Sequence, residues 1–175
     1  KICKKILKDN LDIFMQARGA RKNHQAWPGG YLDHLIEVMN IAVVLYTVLN
    51  GKRQLPFSLS DALLILFLHD LEKPWKYEAN GDGGVRFTRT LKDKEAQHSF
   101  RARKIMRYGI RLTPEQMNAF KYVEGENRDY SSAGRVMNPL AAFCHMCDVA
   151  SARIWFDHPL ETGDEWTGAV RANTQ

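Results

Sequence analysis

A run of seven apolar residues, Ala62 to Leu68, ends on His69-Asp70 in the segment FLHDLEKPW. Such a run is apolar nearly all round a helix, which predicts a buried central helix. An imidazole and a carboxylate at the end of a buried helix are costly unless they are paired or bound to a metal. The fold must therefore bring other polar groups to this one point.

The rest of the chain reads as helices that could do so. Ile2, Ile6, Ile13 and Phe14 recur at roughly helical spacing over 2–18. A loop over 19–30 is punctuated by Pro28-Gly29-Gly30, and a long apolar helix over 31–50 stops at Asn50-Gly51. Ser58 or Ser60 caps the central helix, which stops before Pro74. Asn80-Gly81-Asp82-Gly83-Gly84 is a turn signal that leaves room for a short hairpin near 76–92. A basic helix follows at about 93–108. Thr113-Pro114-Glu115-Gln116 is a capping box with Pro at the first helical position. Asn138-Pro139 opens the last long helix, to about Phe156. These readings give an all-α bundle of five to seven helices in one domain over 1–158. The tail over 159–175 is expected to be weakly structured or docked through Trp166.

Two further side chains point at the same core. His34 shares its helix face with Val38, Ile41 and Leu45, so it points inward. Asp148 shares its face with Ala141, Cys144, Ala152 and Trp155, so it also points inward. Two imidazoles and two carboxylates from three helices suit a divalent transition metal with positions left for water and substrate. His98 lies on one face with Ala102 and Ile105 and is read as inward-facing too.

Composition bounds the setting. With 175 residues, 45% apolar and 26% charged, the chain sits near the soluble globular average, against collagen-like, disordered and coiled-coil classes. Three cysteines do not make a disulfide framework, which fits a reduced, cytoplasmic compartment. Cys144-x-x-Cys147 is read as core packing. The longest apolar run is too short to span a bilayer, so no membrane partner is expected. The net charge of +5 is local. Residues 86–111 hold nine bases against two acids, a charge of +7, which leaves −2 for the rest. A basic segment of this kind points to an anionic partner.

The order His34, His69-Asp70, Asp148 resembles that of the HD-domain superfamily of metal-dependent phosphohydrolases. The text NHQAWPGGYLDHLIEV is similar to the segment around the first motif His in HD-domain 3′–5′ exoribonucleases and related small hydrolases. HDLEKPWKY resembles their HD-x-x-K block, and the likeness spans roughly 24–156. It implies an all-helical core and a divalent metal (Mn, Co, Zn, Fe, Ni or Mg) on His34, His69, Asp70 and Asp148. It implies hydrolysis of a phosphoester or phosphoanhydride.

The resemblance also suggests roles beyond the four ligands. Lys73 matches the Lys of the HD-x-x-K block, which contacts phosphate in similar enzymes. His24 or His98 is the candidate proton donor. Lys73, Arg101 and Lys104 (with Arg103 and Arg107 beside them) would neutralise phosphate charge. For a second metal the candidates are His98 with Glu124 or Glu126. His145, about one helical turn from Asp148 by spacing, is placed either to orient Asp148 or to pack on the surface side. Trp27, Trp75 and Tyr77 flank the motif blocks and are candidates to stack a base or to pack. The expected substrate is a nucleotide or deoxynucleotide, as in small nucleotidases and deoxynucleoside triphosphate hydrolases of bacterial or phage origin. The alternatives are a phosphodiesterase on cyclic or short oligonucleotides, or a non-catalytic nucleic-acid-binding scaffold. A homo-oligomer is expected by resemblance.

Overall fold

The structure is a computed structural model that describes residues 2–79 and 85–168. Among these the chain is all-α, with one two-stranded sheet. The helices are α1 (Ile2–Asp9), α2 (Leu11–Gln16), α3 (Gly30–Lys52), α4 (Leu59–Leu68), the single turn α5 (Lys73–Lys76), α6 (Lys94–Arg107), α7 (Pro114–Tyr122) and α8 (Pro139–Ile154). Strands β1 (Tyr77–Ala79) and β2 (Val85–Phe87) pair antiparallel, so the hairpin exists. Its expected turn, Asn80 to Gly84, lies outside the described residues.

Local chemistry sets the boundaries. The expected first helix divides at Asn10, whose side-chain amide bonds the Ile6 carbonyl and the Tyr108 hydroxyl. A side chain that satisfies a backbone carbonyl offers the chain an alternative to the helical ladder. Ser58 and Asp61 form a capping box at the start of α4, and Thr113 and Gln116 form another at α7. Asp93 and Asn138 cap α6 and α8 through their side chains.

The core forms where α3, α4, α7 and α8 meet. Within α4, Ala62, Ile65, Leu66 and Leu68 are fully buried, as a helix apolar all round must be. Cys144 and Cys147 are buried in the same core, and burial pushes the Cys147 thiol up to about 12. Helix α3 differs along its length. Its first half buries Asp33, His34 and Glu37, whereas its second half exposes Val43, Val44, Val48 and Leu49. By length and mean hydropathy (23 residues, 1.6) α3 could cross a membrane, which the short apolar runs did not suggest. An average over the helix overlooks single polar residues, and Asp33, His34 and Glu37 of α3 point into the bundle. Beyond α8 the chain is docked as far as 168. Leu160 is buried, Trp166 packs edge-on to Trp155 and Thr167 bonds Asn40.

Candidate metal centre

The loop between α2 and α3 forms one wall of the site and is pinned by Gln25. This residue is fully buried and has a left-handed backbone (φ 42°). Its carbonyl accepts from the Gly19 amide, and its own amide donates to the Phe156 carbonyl. Gly30 must be glycine here, since a Cβ would fall 2.0 Å from the Gln25 carbonyl oxygen. Gly29 supplies the left-handed turn (φ 82°) that starts α3. The loop thereby places His24 with its ring 5.6 Å from that of His34.

At the end of α4 the polar groups converge. His34 Nε2 lies 3.2 Å from His69 Nε2 and 3.2 Å from Asp148 Oδ1. His69 Nε2 lies 3.5 Å from Asp148 Oδ1 and 3.3 Å from Asp70 Oδ2. Asp70 Oδ2 is 3.7 Å from His34 Nε2. His34, His69 and Asp148 thus form a group whose ligand atoms lie within 4.8 Å of one another, with Asp70 at its edge.

The outer hydrogen bonds decide which ring nitrogens carry protons. His69 Nδ1 lies 2.7 Å from the Leu66 carbonyl oxygen, which can only accept, so Nδ1 donates. Ser151 donates its one proton to Glu37 Oε2 at 2.5 Å, which also accepts from Gln25 Nε2. The Ser151 oxygen therefore accepts from His34 Nδ1 at 2.9 Å. Both Nε2 lone pairs consequently face the carboxylates of Asp70 and Asp148. Nothing but a cation holds four such acceptors together, so the donor set fits a divalent metal.

Without a metal, the cation is a proton. Burial alone would depress His69, but the carboxylates of Asp70 and Asp148 outweigh it and hold the imidazole well above its usual range. Burial likewise opposes the charge on Asp148, and the two imidazoles hold its carboxyl well below the usual range. Asp70 is lowered in the same sense by Lys73 and His69.

Asp70 and Asp148 of the cluster line a cavity of about 1060 Å³. Arg21, Lys22, Lys73, Lys76, Lys94 and Arg153 bring positive charge to it. Lys73 is buried, 3.2 Å from Asp70 Oδ2, and it donates to the Gly19 carbonyl. Burial of this ammonium works against its charge, and Asp70 more than restores it. His24 donates from Nδ1 to Gln25 Oε1 at 2.6 Å, which leaves Nε2 as an acceptor. Burial, with Lys73 nearby, lowers this imidazole, which favours its neutral form with Nε2 open as an acceptor.

Several expected site residues lie elsewhere. His98 is exposed and stacks near Phe120. The inward face of α6 runs through Gln97, Arg101 and Ile105, one residue round from the expected face. Arg101 is buried and donates to the His69 carbonyl and to Glu124, so it braces the site from behind. Lys104 lies over the Trp75 ring at 3.8 Å. Neither lines the cavity. Glu124 does, but Arg101 and Lys94 already neutralise it, which does not fit a second metal with His98. Of the nine bases in 86–111 only Lys94 reaches the cavity. The positive mouth comes instead from the His24 loop, α5 and the end of α8.

His145 is the group whose place the sequence left open. Its Nδ1 donates to the Val123 carbonyl at 2.8 Å, rather than to Asp148, and its ring lines the cavity. Among the aromatics, Trp27 donates to Asp33 at 2.7 Å and Trp75 packs on Phe14 and Phe100. Tyr77 alone of the three lines the cavity, joined there by Phe87. Comparison with protein-family models, curated proteins and solved structures finds no match to this chain.

Proposed function

We propose that this chain is a metal-dependent phosphohydrolase of the HD type that acts on nucleotides or deoxynucleotides. One observation carries the reading: the Nε2 lone pairs of His34 and His69 face the carboxylates of Asp70 and Asp148 in the wall of a cation-ringed cavity. A divalent metal bound by these four residues would supply Lewis acidity toward a phosphoryl oxygen and lower the pKa of a water.

The remaining chemistry belongs to the side chains. Ser151 and the Leu66 carbonyl fix the two imidazoles from behind. Lys73 holds Asp70 and ties the His24 loop to it. Arg21, Lys22, Lys76 and Arg153 balance phosphate charge as it moves in the transition state. Neutral His24 accepts a proton from a water or hydroxyl at the reacting centre.

A phosphodiester substrate is the second reading. It is favoured by the cavity volume, which lies just above the range of about 300–1,000 Å³ usual for small-molecule sites. The test is metal-dependent hydrolysis, read by chromatography of the products, of mononucleotides, deoxynucleoside triphosphates, and linear and cyclic dinucleotides with Mn²⁺, Co²⁺ or Zn²⁺. Turnover should vanish with a chelator and in Asp70→Ala protein that keeps its helical circular dichroism. No metal-dependent hydrolysis of any of these substrates would overturn the reading.

A further inference from the structure

The hairpin carries two aromatic rings that the hydrophobic core does not use. Tyr77 and Phe87 stand directly opposite each other in the β1–β2 register. Their ring centroids are 5.4 Å apart, as cross-strand neighbours on one face should be. Both are part-buried, and neither belongs to the core cluster or packs against it. Both line the cavity that contains Asp70, Asp148 and His24.

Cations surround the pair. Lys76 Nζ lies 5.8 Å from the Tyr77 ring and 5.7 Å from the Phe87 ring. Arg21 Cζ lies 5.8 Å from Phe87. The same cavity receives a second apolar flank, from Val149 and Ala152 of α8 and Phe156 just beyond it. A cavity with a charged metal-type cluster, a ring of cations and two apolar flanks matches a ligand that is anionic at one end and flat and apolar at the other. Aromatic steps bordered by positive charge are the usual way that proteins hold unpaired bases without reading their sequence. An inorganic phosphate or polyphosphate would leave both rings unused.

We propose that Tyr77 and Phe87 form a base-stacking step, and that the ligand of this cavity is a base-bearing phosphate whose phosphate is held by Arg21, Lys22 and Lys76. The identity of the phosphate end rests on the phosphohydrolase reading; the stacking step does not. The shared chemistry is a nucleobase joined to phosphate, presented either by a mononucleotide or by the end of a single strand.

Calorimetric binding to the full, metal-depleted chain in chelator tests it, with dAMP, the dinucleotide pdApdA and inorganic tripolyphosphate as probes. The Tyr77→Ala/Phe87→Ala double variant should bind dAMP and pdApdA about 10- to 100-fold more weakly, the scale of stacking on one or two aromatic rings. Its tripolyphosphate affinity should stay within about twofold. Tyr77→Phe/Phe87→Tyr should bind like the parent, which separates stacking from damage to the hairpin. Tighter binding of pdApdA than of dAMP assigns the site to a strand end, and equal binding assigns it to a mononucleotide. The proposal is overturned if the parent binds no base-bearing probe, or if the double variant loses tripolyphosphate as much as nucleotide. Unchanged nucleotide affinity in that variant overturns it too. Ring-dependent nucleotide binding without Mn²⁺-dependent hydrolysis would instead remove the hydrolase reading and leave the stacking step standing.

Discussion

His34 Nε2 and His69 Nε2 stand 3.2 Å apart, and each ring spends its other nitrogen on a donor bond behind it. Two lone pairs at that separation repel unless a cation lies between them and the neighbouring carboxylates. In the metal-free protein that cation is the His69 proton. A group whose folded pKa is raised stabilises the fold below its unfolded value, here 6.5, and loses that contribution as pH rises through the folded value. Metal must displace the proton, so affinity should rise about tenfold per pH unit while His69 stays protonated. The gain in Tm on adding Zn²⁺ or Mn²⁺ should therefore be larger at pH 8 than at pH 6. Calorimetry in buffers of different ionisation heat should detect proton release. An equal Tm gain at both pH values would count against the metal centre.

Ser151 connects Glu37 to His34 and touches no cavity-lining carboxylate in doing so. Ser151→Ala leaves the His34 Nδ1 proton and Glu37 without this partner inside the core. Stability should fall by about 1–3 kcal/mol, the usual cost of an unsatisfied buried group. Metal affinity should fall about 10- to 100-fold through the loosened imidazole. Urea denaturation and metal titration would measure the two separately. A loss of stability with unchanged affinity would mean that Ser151 only packs.

Glu37 gives a second pH signature, in a different window. Burial raises its carboxyl from 4.5 to about 7, with Ser151 and Gln25 acting against the rise. The folded chain then holds a proton that the unfolded chain releases between those values. Stability should fall as pH rises from about 4.5 to about 7, by about 3 kcal/mol from this group. Glu37→Gln should abolish that part of the slope and make the protein the more stable form at pH 8. Denaturation curves for both proteins across pH 4.5–8 would show it, and parallel curves would remove Glu37 as the source.

How much of this could be read from the chain differs by residue. His34, His69-Asp70 and Asp148 were legible because each interrupts a strongly apolar helix face, and burial makes a polar interruption expensive. The capping boxes at Ser58 and Thr113 were legible because they are local. His98 was misplaced because α6 has no apolar face to set its rotation: the buried residues are Gln97 and Arg101 as much as Ile105. The basic segment misled for a related reason. Net charge along a stretch does not say which side chains turn outward, and Arg101 and Lys104 are spent on His69, Glu124 and Trp75. Ser151, Gln25 and Glu37 act through contacts between residues more than 100 apart in sequence, or through a single left-handed residue. No local pattern announces either.

Arg101 and Arg21 separate bracing from binding. Arg101 is buried, donates to the His69 carbonyl and Glu124, and lies 3.6 Å from Glu72 without a hydrogen bond to it. Arg101→Met removes a buried cation from two carboxylates, which typically costs about 3–5 kcal/mol. Its main effect should be a large drop in Tm. Arg21 is exposed at the cavity mouth, so Arg21→Ala should leave Tm nearly unchanged. It should raise KM for the nucleotide about three- to tenfold, and more at low salt, since an exposed charge acts through a screened field. Thermal melts and initial rates at 20 and 200 mM salt would distinguish the two. A KM effect confined to Arg101→Met, with Arg21→Ala silent, would return the phosphate-binding role to α6.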